Sequence, residues 1–160
     1  TQSLNVERNT SQTRRYMNKR WHDTMMGNCK LYSSLVSRIT NHYRKTLLVD
    51  ADTNVNVFPM VSISSSTRTQ SKQRMHTDSK DKMHLVYWLT LKHEGTTKGG
   101  YTLFEKNAVM TNIAENQLTV WSGCHEIHCG VSNTSNVVRM SLVFDLTTKP
   151  HVKDDTNMSP

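Results

Sequence analysis

The chain has 160 residues, a formal net charge of +7 and 35% hydrophobic residues. That length suits one domain with a real core. No apolar run approaches membrane-spanning length, no basic-then-apolar leader is expected at the start, and three cysteines do not form a disulfide framework. A reducing, intracellular setting and no membrane partner are expected.

Residues 1–25 are polar and basic, without a clean period. The first fifty residues carry nine Lys/Arg (Arg8, Arg14, Arg15, Lys19, Arg20, Lys30, Arg38, Arg44, Lys45) against Glu7, Asp23 and Asp50. Such a segment can attract nucleic acid or another acidic partner; the simpler reading is a solvated N-terminus. Leu31, Leu35, Ile39 and Tyr43, with Val36, recur at helical spacing, predicting an amphipathic helix over 29–45 with Asn28 as N-cap. Lys30, Ser34, Arg38, Asn41 and Arg44 form its other face.

After Leu47 the pattern turns to short β-like stretches: LLVDA, VNVFPMVSIS, HLVYWLTL, GYTLFE, NQLTVWS and VVRMSLVFDL. GTTKGG at 95–100 reads as a turn. The expected class is mainly β with an N-terminal helix (α+β), a sandwich or barrel of seven or eight short strands. One domain is expected over 26–150, after the basic segment 1–25 and before a loose tail at 151–160.

His76-Thr77-Asp78 opens the strand region. In an extended chain, positions two apart share a face, so an imidazole and a carboxylate can reach one ion. The third ligand must then come from His125 or His128. If Asn133-Thr134 is a two-residue turn, His128 opposes Arg139 and His125 opposes Leu142 on the other face. Two histidines and one carboxylate suit non-haem Fe(II) with open positions for substrates and O2. Arg139 can then grip a carboxylate, and Ser141 points the same way along the strand.

HTD (76–78), VYWLTL (86–91), GGYTLF (99–104) and His128, Arg139, Ser141 occur in that order. Together they resemble the 2-oxoglutarate- and Fe(II)-dependent oxygenases, in the prolyl 4-hydroxylase-like branch. The resemblance covers roughly residues 76–147. It implies a double-stranded β-helix, a jelly-roll or cupin-like barrel, with Fe(II) on His76, Asp78 and His128. It also implies 2-oxoglutarate as co-substrate on Arg139 and Ser141, O2 as oxidant, and hydroxylation of a peptidyl or amino-acid substrate. His125 stays open as distal ligand because His125-Glu126-Ile127 mimics the family's His-x-Val. Trp88 stands where the family often has a tyrosine.

Three other readings compete with this one. An AlkB-type nucleic-acid demethylase shares the triad, but the position of its second arginine is Asp145 here. A non-catalytic β-barrel binding module needs no turnover. Cys124-His125-x-x-His128-Cys129 has zinc-ligand residue types, but its spacing on a strand points to both faces. His84 is expected to be an ordinary half-buried residue, Asp145 to cap the last strand, and Met83, Leu85, Val86, Trp88 and Phe104 to be core.

Overall fold

The computed structural model describes residues 12–64, 74–93, 102–106, 110–111, 114–131 and 139–149. The turn at 95–100, the Asn133-Thr134 turn and the tail at 151–160 lie outside these residues. Among the described residues no helix is long and apolar enough to cross a membrane.

Strand β1 (Gln12–Tyr16) and helix α1 (Lys19–Asn28) come first, so part of the basic segment 1–25 is regular structure. Asn18 caps α1 by accepting from Trp21 N at 2.8 Å. Helix α2 follows as Lys30–Leu47. The predicted N-cap Asn28 is instead the last residue of α1, and Cys29 takes the cap position with no side-chain hydrogen bond. The buried face of α2 is Tyr32, Val36, Ile39 and Tyr43, whereas Leu31 is 85% exposed. Tyr32 replaces Leu31 because its aromatic body can lie along the sheet while its hydroxyl meets His22 Nδ1 at 2.7 Å. LLVDA is not a strand. Leu47 ends α2, and Leu48 adopts the left-handed conformation that terminates it (φ 53°).

The strands then run β2 (Asn56–Ser64), β3 (Leu85–His93), β4 (Thr102–Phe104), β5 (Met110–Thr111), β6 (Leu118–Ser122), β7 (His128–Gly130) and β8 (Arg139–Thr147). They form an antiparallel five-stranded sheet, β1-β2-β8-β3-β6, and a three-stranded one, β5-β4-β7. Pro59 sits inside β2 without breaking it. Its carbonyl accepts from Met17 N, just past the end of β1, so its missing N–H falls where the neighbouring strand has stopped.

The central strands are buried on both faces, with residues alternating between two cores. Leu85, Tyr87, Phe144 and Leu146 pack against α2. Met60, Val86, Trp88 and Val143 face inward and pack with Phe104 of the small sheet and with Trp121. Each such side chain contributes roughly 1.5–3 kcal/mol on burial. The inward face of β8 therefore carries Arg139, Ser141, Val143 and Asp145 in a line.

Candidate metal centre

His76 and His128 exchange both backbone hydrogen bonds at 2.9 Å in an isolated antiparallel bridge. Directly opposed residues of such a pair project to the same side, and the two rings lie 4.8 Å apart between centroids. On its other edge β7 pairs with β4, setting Phe104 opposite His128. Asp78, two residues beyond His76, turns its carboxylate to both rings: Oδ1 is 3.7 Å from His76 Nε2, and Oδ2 is 3.5 Å from His128 Nε2. The ligand atoms of the three residues all lie within 4.8 Å of one another, and no other such group occurs among the described residues.

The orientation of the rings is enforced. His76 Nδ1 meets the Arg74 carbonyl at 2.8 Å, and His128 Nδ1 meets the Glu126 carbonyl at 3.0 Å. A carbonyl only accepts, so each Nδ1 carries the hydrogen and each Nε2 presents a lone pair in the neutral ring. Two lone pairs and a carboxylate then converge, an arrangement of acceptors that a metal cation can satisfy together. Trp121 Nε1 donates to Asp78 Oδ2 at 2.9 Å, holding the carboxylate from behind. Burial alone would raise the Asp78 pKa, but its contacts with His128, Trp121 and His76 outweigh that and lower it. The donor set fits a ferrous ion.

The group borders a cleft of ≈ 730 Å³ whose lining includes Trp88, Trp121, Val143, His84 and Asp145. Across it, His84 Nε2 lies 3.5 Å from Asp145 Oδ1, and the Tyr16 hydroxyl donates to Asp145 Oδ2 at 3.3 Å. Burial alone would lower the His84 pKa; the Asp145 carboxylate overrides it and the pKa is raised. The loop after Asp78 is tied down by Ser79 N donating to Gly123 O at 3.0 Å. Asp81 also anchors it, accepting from Thr147 Oγ1 at 2.6 Å and lying 3.2 Å from Lys149 Nζ.

His125, the rival ligand, is exposed and lines a separate cleft with His42 and Glu126. The residues of the CHxxHC hexapeptide do not group as zinc ligands: Cys129 is fully buried and His125 faces outward. Among the described residues β7 and β8 do not pair as the expected hairpin requires. His128 pairs with Phe104 and His76, whereas Arg139 pairs with Ser64 and His93 in the other sheet. The two residues nevertheless face one interior. Arg139 Cζ lies 5.5 Å from the centre of the Trp88 ring, Trp88 stacks on Trp121 at 6.1 Å, and Trp121 bonds Asp78. Arg139 is 4% exposed and Ser141 is fully buried. Asp145 is not an end cap. It sits within β8 and faces His84, because its position continues the inward alternation from Arg139. Sequence reasoning missed the roles of Trp121 and His84; the inward alternation of residues 118–122 was the available signal for the former.

No protein-family model matches the chain, and no curated protein matches it in sequence. Solved structures match by fold. A prolyl-4-hydroxylase from Pseudomonas putida superposes with TM-score 0.62 at 13% identity, over 85% of this chain and 68% of that one. The viral collagen prolyl hydroxylase of Paramecium Bursaria Chlorella virus-1, solved as a 2OG complex, gives 0.56 at 11% identity, over 86% and 80%. A 2OG-Fe(II) oxygenase family oxidoreductase from Burkholderia pseudomallei gives 0.50 at 14% identity; the chain spans 60% of its length and 76% of its own. The chain therefore shares its fold with structures of prolyl hydroxylases and of 2OG-Fe(II) oxygenases.

Proposed function

We propose that this chain is an Fe(II)- and 2-oxoglutarate-dependent oxygenase that hydroxylates an unactivated C–H bond of a peptidyl, prolyl-type or amino-acid substrate. The observation that carries the reading is the convergence of His76, Asp78 and His128, with both Nδ1 atoms held on carbonyls. The fold shared with prolyl hydroxylases supports the substrate class and the jelly-roll closure of the two sheets.

In this reading His76, Asp78 and His128 hold Fe(II), and Arg139 with Ser141 holds the far carboxylate of 2-oxoglutarate. When bound, the iron and 2-oxoglutarate supply, with O2, the oxidising chemistry that breaks a C–H bond and releases succinate and CO2. The chain's own groups position and shield. The Glu126 and Arg74 carbonyls fix the two imidazoles, and Trp121 fixes Asp78. Trp88, Phe104 and Trp121 keep the interior apolar, which strengthens the charge interactions inside it. The buried guanidinium of Arg139 and the Ser141 hydroxyl, whose Oγ has no hydrogen-bond partner among the described residues, suit a carboxylate. His84, Asp145 and Tyr16 form the wall that a substrate entering the cleft meets.

The test is anaerobic addition of Fe(II) and 2-oxoglutarate. A weak visible charge-transfer band, followed by succinate release on admitting air, is expected. Absence of both would favour a non-catalytic binding module.

A further inference from the structure

The wall of the cleft across from the metal centre carries a carboxylate with spare acceptor capacity. One inward-facing row crosses the large sheet as Phe58 of β2, Asp145 of β8, Val86 of β3 and Trp121 of β6, each paired with the next. Trp121 holds Asp78 at one end of the row. Asp145 stands two strands away, a separation of about 9–10 Å. Its flanking partners Phe58 and Val86 are apolar, and so is Val143, two residues before it on β8. The Asp145 side chain is 18% exposed, so it meets the cleft without standing in bulk water.

A carboxylate in such a place needs donors, and those present are loose. His84 Nε2 lies 3.5 Å from Oδ1, and the Tyr16 hydroxyl lies 3.3 Å from Oδ2. Charge-assisted hydrogen bonds are shorter, about 2.5–2.9 Å. The two residues offer one donor each to a group with about four acceptor sites. Among the described residues no lysine or arginine pairs with Asp145; Lys149, which also lines the cleft, is held by Asp81 at 3.2 Å. Aromatic rings complete the arrangement. Phe58 is directly opposed to Asp145, with Cβ atoms about 5 Å apart, and both Phe58 and Tyr16 line the cleft. Aromatic rings beside a carboxylate suit a cation. His84 and Tyr16, one on each oxygen, obstruct the planar approach of a guanidinium; an ammonium is a compact charge with three donors and needs no such approach.

We propose that Asp145, with Phe58 and Tyr16, is the recognition subsite for a primary ammonium group of the substrate. The inference rests on the proposed function and narrows it. Among peptidyl and amino-acid substrates it selects those with an ammonium a short alkyl chain away from the bond that is oxidised. The distance of about 9–10 Å between the Asp145 and Trp121 positions accommodates such a chain.

The probes are three related amides. Nα-acetyl-L-lysine methylamide is charged at the side-chain end, L-norleucine methylamide at the α-nitrogen, and Nα-acetyl-L-norleucine methylamide nowhere. Each is titrated at pH 7 into the full chain loaded anaerobically with Mn(II) and 2-oxoglutarate. Tryptophan fluorescence reads binding, since Trp88 and Trp121 line the cleft. One charged amide is expected to bind about tenfold more tightly than the uncharged one, from one hydrogen bond between charged groups. Which of the two does so tells whether a side-chain or an α-ammonium is recognised. In Asp145→Asn, checked as folded by circular dichroism, the preference is expected to fall to about twofold while the uncharged amide binds as before. Tyr16→Leu, at a position 57% exposed, is the second variant and is expected to cut the preference about threefold. An uncharged amide that binds the wild type as tightly as both charged ones, or a preference that neither variant reduces, would overturn the assignment. Failure of the proposed function reads differently, as no charge-transfer band with Fe(II) and 2-oxoglutarate, whatever the amides do.

Discussion

Replacing Trp121 by phenylalanine isolates one hydrogen bond at the candidate metal centre. The ring system keeps its place against Phe104, His128 and Trp88, but the Nε1–H that reaches Asp78 Oδ2 at 2.9 Å is gone. A hydrogen bond to a charged acceptor contributes about 1.5–3 kcal/mol. Asp78 keeps 22% of its side-chain exposure, so water replaces part of what is lost and the lower end applies. About 1.5 kcal/mol corresponds to roughly a tenfold loss of metal affinity, within the range of about 10–100-fold typical of such supporting partners. Anaerobic calorimetry with Fe(II) or Mn(II) reads this directly. The smaller ring also leaves a partial void, which lowers thermal stability whatever Asp78 does. A lower melting temperature with metal affinity held within about twofold would show that Trp121 only packs, and the account of Asp78 would be refuted.

His128→Ala is expected to abolish metal binding and iron-dependent turnover, while His125→Ala keeps most of both; the reverse pattern in a metal titration would reassign the distal ligand. Gly123→Ala sets a methyl 2.0 Å from His84 Nδ1 and 2.7 Å from Cε1, so the ring must move. Overpacking of this kind costs about 1–3 kcal/mol, and denaturant unfolding checks it. The His84–Asp145 pair makes stability depend on pH. The folded pKa of His84 is raised above 6.5, so the stabilisation is fully present below 6.5 and is lost as pH rises through the folded value. Asp145→Asn is therefore expected to melt below wild type at pH 6 and to converge with it at high pH. A deficit independent of pH would remove the ion pair from the account.

Short-range pattern determined much of this protein. The 3.6-residue period placed α2, and runs of β-branched and aromatic residues placed β2, β3, β4, β6 and β8, because side-chain burial follows backbone periodicity within one element. The extended spacing of His76 and Asp78 likewise brought their side chains toward one point, since that geometry is local. What no local pattern carries is which elements become neighbours. Leu31 and Tyr32 both fit an apolar stripe, and only the sheet beneath α2 selected Tyr32. The choice between His125 and His128 was open in the sequence; the bridge from His128 to His76 brought one imidazole to Asp78 and left the other in solvent. Arg139 and His128 reach the same interior from different sheets rather than across one hairpin, a relation set by how the two sheets face each other and not by the residues between them.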